Sequence, residues 1–226
     1  MDRRSFATLF GSGSADARLG ALRSRTIIAV GLALTVAVVV AQTASQVIDF
    51  VFFNLRLRAI DSDHHASVFG AASLLAQALA AAAIALRIAS SSHRRPWLIL
   101  AGLVGVLLIV RTFVRPQMTM LLLPLVAVFL SLCWLTWGDS VDVRSIVWAS
   151  LLLLVCSFAL HVVGPQADGN AANHLRDHAW TSQLTGMLKH GAELAGWMLL
   201  ATGMIAAAWS VQAGVAARSR RGGAQI

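Results

Sequence analysis

The chain contains one lysine and one glutamate, Lys189 and Glu193, four residues apart with His190 between them. On a helix this spacing places both charges on one face, where they can pair at the mouth of a membrane span. In one reading the pair only closes a helix end, with Glu193 favoured by the positive end of the helix dipole. In the other, Glu193 turns inward to meet polar groups of neighbouring helices, and ionisable groups held inside a membrane are usually spent on pairing or on function. Asp49, Gln46, His161, Lys189, His190 and Glu193 are the candidate lining of such a polar pocket, expected between the first, fifth and sixth apolar runs.

A second candidate chemistry is metal binding. His174 and His178 are also four apart, so on a helix they could share one ion, with Asp63 or Glu193 as a further ligand. No glutamate follows His174 directly, so this is not the zinc-protease helix pattern. The competing reading is that these are solvated loop side chains. The serines lack the Gly-x-Ser-x-Gly setting of an activated nucleophile. Gly11-Ser12-Gly13 is followed by no lysine of a phosphate-cradling loop. Haem between spans would want paired histidines deeper in the helices. No cofactor is implied.

The elements that must position these groups follow from composition. Hydrophobic residues make up 58% of the chain and charged residues 12%, against about a quarter charged in an average soluble protein. The chain therefore reads as all-α, a polytopic transmembrane bundle in one domain. Spans of about 20 residues use up most of its length. A net charge of +8 would point to nucleic acid in a soluble protein, but the basic residues here flank apolar runs and accompany no recognition motif. No nucleic-acid partner is expected.

Six runs are legible. The first, Thr26 to about Phe53, is longer than one crossing needs, and Gln42, Ser45, Gln46 and Asp49 form a polar stripe along its second half. Such a stripe should face other helices or a water-filled cavity rather than lipid. The second run, Val68 to Ala89, is built from Ala and Leu around Gln77, and its small side chains predict a central, tightly packed helix. Pro96 opens a third run ending near Val110, and Pro116 precedes a fourth, Met118 to Trp137, which Pro124 should kink. The fifth spans about Val143 to Val163, where Gly164-Pro165 is expected to stop it. The sixth covers about Gly191 to Val211, and Ala192, Gly196, Gly203 and Ala207 give it a small-residue edge suited to close packing.

Residues 1–25 read as a mobile cytoplasmic arm without a cleavable signal, 26–213 as the six-helix membrane domain and 214–226 as a basic cytoplasmic tail. With both termini cytoplasmic, twelve of the eighteen basic residues lie inside, as the positive-inside rule requires. Six of the seven histidines then lie at or beyond the outer face, together with Asp49, Asp61, Asp63, Asp177 and Glu193. That asymmetry marks the external side as the chemically interesting one.

The six-span layout, with an acidic residue shortly before a glycine in Glu193-Leu194-Ala195-Gly196, resembles an uncharacterised group of bacterial multi-span membrane proteins. The polar Asn54–Asp63 segment leading into an Ala/Leu-rich second span is similar to theirs as well. The resemblance covers roughly Asp49 to Trp209. It implies a multi-pass protein of the bacterial inner membrane and brings no established activity. The leading expectation is a binding, transport-related or accessory subunit with a polar site on the external side. Its partners would be the lipid bilayer and, as a candidate, another membrane protein. The alternative is a metal-dependent intramembrane hydrolase using outer-face histidines and carboxylates.

Overall fold

The computed structural model describes residues 3–53, 68–90, 94–113, 141–168 and 180–222. These residues are all helical. α1 runs from Arg3 to Ile48 and passes into a π-helical segment, Asp49–Phe53. α2 is Val68–Ser90, α3 Arg94–Phe113, α4 Val141–Asp168 and α5 Trp180–Gly222. Four stretches are long and apolar enough to cross a membrane: Leu22–Phe53, Val68–Leu86, Val141–His161 and Leu184–Trp209. α3 has a shorter apolar stretch, Trp97–Val106. The fourth apolar run, with Pro124, lies outside the described residues.

The stretch read as an N-terminal arm is helical from Arg3 and continuous with the first apolar run. Its glycines each cost a helix only about 1 kcal/mol, while the alanines, leucines and arginines around them are good helix formers. α4 also continues through Gly164-Pro165 to Asp168. A proline forfeits one hydrogen bond and strains the turn before it, but neighbouring groups in a helical bundle can absorb that loss. Lastly, the central helix is α5 rather than α2.

α5 packs against α1, α2 and α4, and α3 rests on α2. The core joins Ala76, Ala80, Ala83 and Ile84 of α2, Trp97, Leu100 and Val104 of α3, and Val143, Val147, Leu151 and Leu154 of α4 to Trp197, Leu200 and Met204 of α5. α1 adds only the partly buried Ile27 and Ile28.

Small residues set these contacts. A Cβ on Gly196 would stand 2.8 Å from the Leu154 side chain, and one on Gly203 would stand 2.8 Å from that of Val147. Gly31 of α1 sits directly against Thr202 of α5. Without glycine at these positions the helix axes would have to separate, because apolar side chains gain nothing by leaving lipid and close van der Waals packing carries the association. The Ser150 hydroxyl donates to the Gly196 carbonyl at 2.8 Å, adding a buried interhelical hydrogen bond at the same crossing.

The pairings also fix direction. Gly31 meets Thr202 and Gly191 meets Val39, so α1 and α5 are antiparallel. Gly196 meets Leu154 and Gly203 meets Val147, so α4 and α5 are antiparallel too. α1 and α4 therefore run the same way, and Arg25 reaches Asp142 at their shared starting end, Nε to Oδ2 3.0 Å.

Candidate functional site

The site begins with the polar stripe of α1. Most hydroxyls there bond back to their own helix: Thr35 donates to the Gly31 carbonyl at 2.7 Å, Thr43 to Val39 at 3.0 Å and Ser45 to Ala41 at 2.7 Å. This back-bonding is how a helix in lipid satisfies such groups without a partner helix. Gln42 behaves differently. Its side chain is only 2% exposed and its Oε1 has no hydrogen-bond partner. On α2, Ser73 is likewise buried, with an unpartnered Oγ.

Both side chains line one small cavity, completed by Phe69, Gly70, His190, Glu193 and Leu194. The centre of a water-sized sphere has about 10 Å³ to move in, close to the minimum for one water molecule or an ion of similar size. Glu193 is 5% exposed. His190 Nδ1 lies 3.9 Å from Glu193 Oε2, one helical turn earlier on α5. That separation is too long for a hydrogen bond but within electrostatic reach. The His190 ring stands edge-on to that of His161 on α4, centroids 6.3 Å apart and planes at 87°. One carboxylate and two oxygens without partners thus converge on a space for a single small guest. Oxygen-rich surroundings favour a species that donates hydrogen bonds or carries positive charge.

Two of the six expected pocket residues, His190 and Glu193, line the cavity. His161 is brought beside them through His190. Gln46 and Asp49 continue the α1 stripe beyond Gln42, outside the cavity lining; Gln46 is half-buried, and Asp49, 3% exposed, opens the π segment. π segments widen a helix by one residue per turn and recur at functional sites. Lys189 is half-buried next to the site. The third wall is α2 rather than the fifth run, because α4 is held on the other side of α5 by Gly196 and Gly203. Ser73 is the polar lining residue that sequence reasoning missed: a lone serine in an Ala/Leu run carries no pattern, and Gln42 was legible only as part of the stripe.

The metal candidates His174, His178 and Asp63 lie outside the described residues. Among the described residues no group of three or more His, Cys, Asp or Glu side chains is placed to hold a metal ion.

The same three helices form a second feature. Within one helical turn of the polar cavity begins a large apolar groove of about 800 Å³, lined by α1 from Arg23 to Val38, α2 from Ala72 to Leu79 and α5 from Met198 to Trp209. Comparison with protein-family models, with curated proteins and with solved structures finds no match for this chain.

Proposed function

We propose that the chain is a six-span protein of the bacterial inner membrane, both termini cytoplasmic, whose external-side polar cavity binds a proton or a small cation in a binding, transport-related or accessory role. The observation that carries this reading is the convergence of buried Glu193 with the unpartnered oxygens of Gln42 and Ser73 on a space the size of one water molecule. An intramembrane carboxylate is expensive to keep and is usually spent on pairing or on function. A positively charged guest in the cavity offsets that cost.

The span count draws support from the parallel course of α1 and α4. Because Arg25 and Asp142 share one end, an even number of crossings separates the two helix starts. The chain then crosses four times or six, and the remaining pair would be α3 with the fourth apolar run. Positive-inside counting supports a cytoplasmic position for the shared end, with the Glu193 cavity toward the opposite face.

Glu193→Gln keeps the shape and removes the charge. Isothermal titration or proton-release measurements on the purified protein should show cation or proton binding in the native chain and its loss in the variant, with expression unchanged. Binding that persists in Glu193→Gln would end the proposal.

A further inference from the structure

The apolar groove has a chemical direction. At one end stand Arg23, Thr26 and Trp209; from there to Val38 its α1 wall is Ile27, Val30, Gly31 and Leu34. α2 supplies the opposite wall, including Ala72, Leu75 and Ala76, and α5 forms the floor with Ala201 and Thr202. Both walls lean on α5, and among the described residues α1 and α2 make little contact with each other, so the groove is open along its length. The close approach of Gly31 to Thr202 draws α1 down onto the floor.

The groove is longer than one leaflet is deep, so it can take an acyl chain end to end. Fifteen helical steps from Arg23 to Val38 cover about 22 Å at about 1.5 Å per residue, and half the hydrocarbon core is about 15 Å. An acyl chain entering beside Arg23 would be covered over its whole length, with its headgroup left at the level of Arg23, Thr26 and Trp209. An arginine and a tryptophan at that level are suited to the membrane interface.

Charge selects among lipids. Arg25, half a turn away, is engaged by Asp142 at 3.0 Å. Arg23 is exposed at the groove's end and has no ion pair among the described residues. A guanidinium in that position matches a phosphate bearing net negative charge, which it can bind through two parallel hydrogen bonds. We propose that the groove between α1 and α2 is a binding site for one anionic phospholipid, its acyl chain on Ala201 and Thr202 and its phosphate on Arg23. The site is separate from the Glu193 cavity, although an acyl chain ending near Val38 would lie about one helical turn from Gln42.

The test is native mass spectrometry of the full chain in mild detergent, with equal amounts of phosphatidylglycerol and phosphatidylcholine carrying identical acyl chains. One phosphatidylglycerol per chain should be retained over phosphatidylcholine by about fivefold, the selectivity of one basic residue near a membrane surface. Arg23→Gln should bring the ratio to about one, whereas Arg25→Gln, which removes the arginine already paired with Asp142, should leave it unchanged. Leu75→Trp, at a residue 62% exposed and therefore free to change without disturbing the core, should fill the groove and lower retention of both lipids. Equal retention by the native chain, a preference that survives Arg23→Gln, or lipid-free dimers in place of a lipid-bound chain would overturn the assignment.

Discussion

α1 and α5 are the two longest helices, and they solve opposite problems. The α1 stretch Leu22–Phe53 is the more apolar, yet only 11% of its most apolar window is buried in the protein, against 78% for Leu184–Trp209 of α5. In water the order would be reversed, because burial there is driven by removing apolar surface from solvent. In a bilayer, apolar side chains gain nothing by moving inward. What belongs inside is what lipid cannot serve: the carboxylate of Glu193, and glycines that let helices touch. α1 follows the same rule along its length. Its aliphatic residues Leu32, Leu34, Val36 and Val40 are exposed, while Gln42 and Asp49 are buried.

The largest effect expected from this contrast is on α5. Gly196→Leu would drive a side chain into Leu154, whose Cγ and Cδ2 lie 2.8 Å from where a Cβ on residue 196 would stand and whose backbone nitrogen lies 3.3 Å from it. Overpacking of this kind should destabilise the bundle by about 3 kcal/mol, measurable by reversible unfolding in mixed micelles. A loss under 1 kcal/mol, on the order of ordinary surface changes, would mean that α4 and α5 are not pressed together there.

Ser150→Ala should cost less. It removes the hydroxyl that donates to the Gly196 carbonyl at 2.8 Å without altering the packing, and interhelical hydrogen bonds in membranes average about 0.6 kcal/mol. Combining it with Gly196→Leu should give much less than the sum, since the bond depends on the close approach that leucine removes. Strict additivity would separate the hydrogen bond from the packing and count against a shared crossing.

How much of this was legible follows from the same physics. Helical class and the presence of apolar helices long enough to cross a membrane came directly from run length and composition. The inward turn of the α1 stripe was readable because lipid cannot serve Gln42 or Asp49, and the packing role of Gly196, Gly203 and Ala207 because small residues mark helix contacts; all five are buried. The choice of central helix was not readable from small residues alone. α2 has as many alanines as a core helix needs, but they fall on both sides: Ala76, Ala80 and Ala83 are buried, while Ala71, Ala78, Ala82 and Ala85 are exposed together with Leu75, Leu79 and Leu86. Nor could the sequence show that α2, through Ser73, walls the Glu193 cavity. That depends on which helices flank α5, and hydropathy carries no information about helix order around a bundle. The π segment at Asp49–Phe53 has no proline or glycine to announce it.

The smallest effect is expected on α1, and it tests the contrast most directly. Leu32 is 46% exposed and lies in the stretch that hydropathy ranks highest. In a soluble core, Leu→Ala costs about 2–5 kcal/mol through lost transfer energy and the cavity left behind. Neither term applies to a side chain that faces lipid in both the folded and the separated helix, because acyl chains close over the missing methyls. Leu32→Ala should therefore change stability by less than about 0.5 kcal/mol, with the small helix-propensity gain of alanine offsetting whatever contact is lost. The measurement is again reversible unfolding in mixed micelles, with lipid composition held fixed so that occupancy of the neighbouring groove does not vary. A loss above about 1.5 kcal/mol, the scale of a packed aliphatic side chain, would show that protein covers this face of α1. The exposed face would then be an interface, and the difference between α1 and α5 would reflect a missing partner rather than the preference of lipid for the more apolar helix.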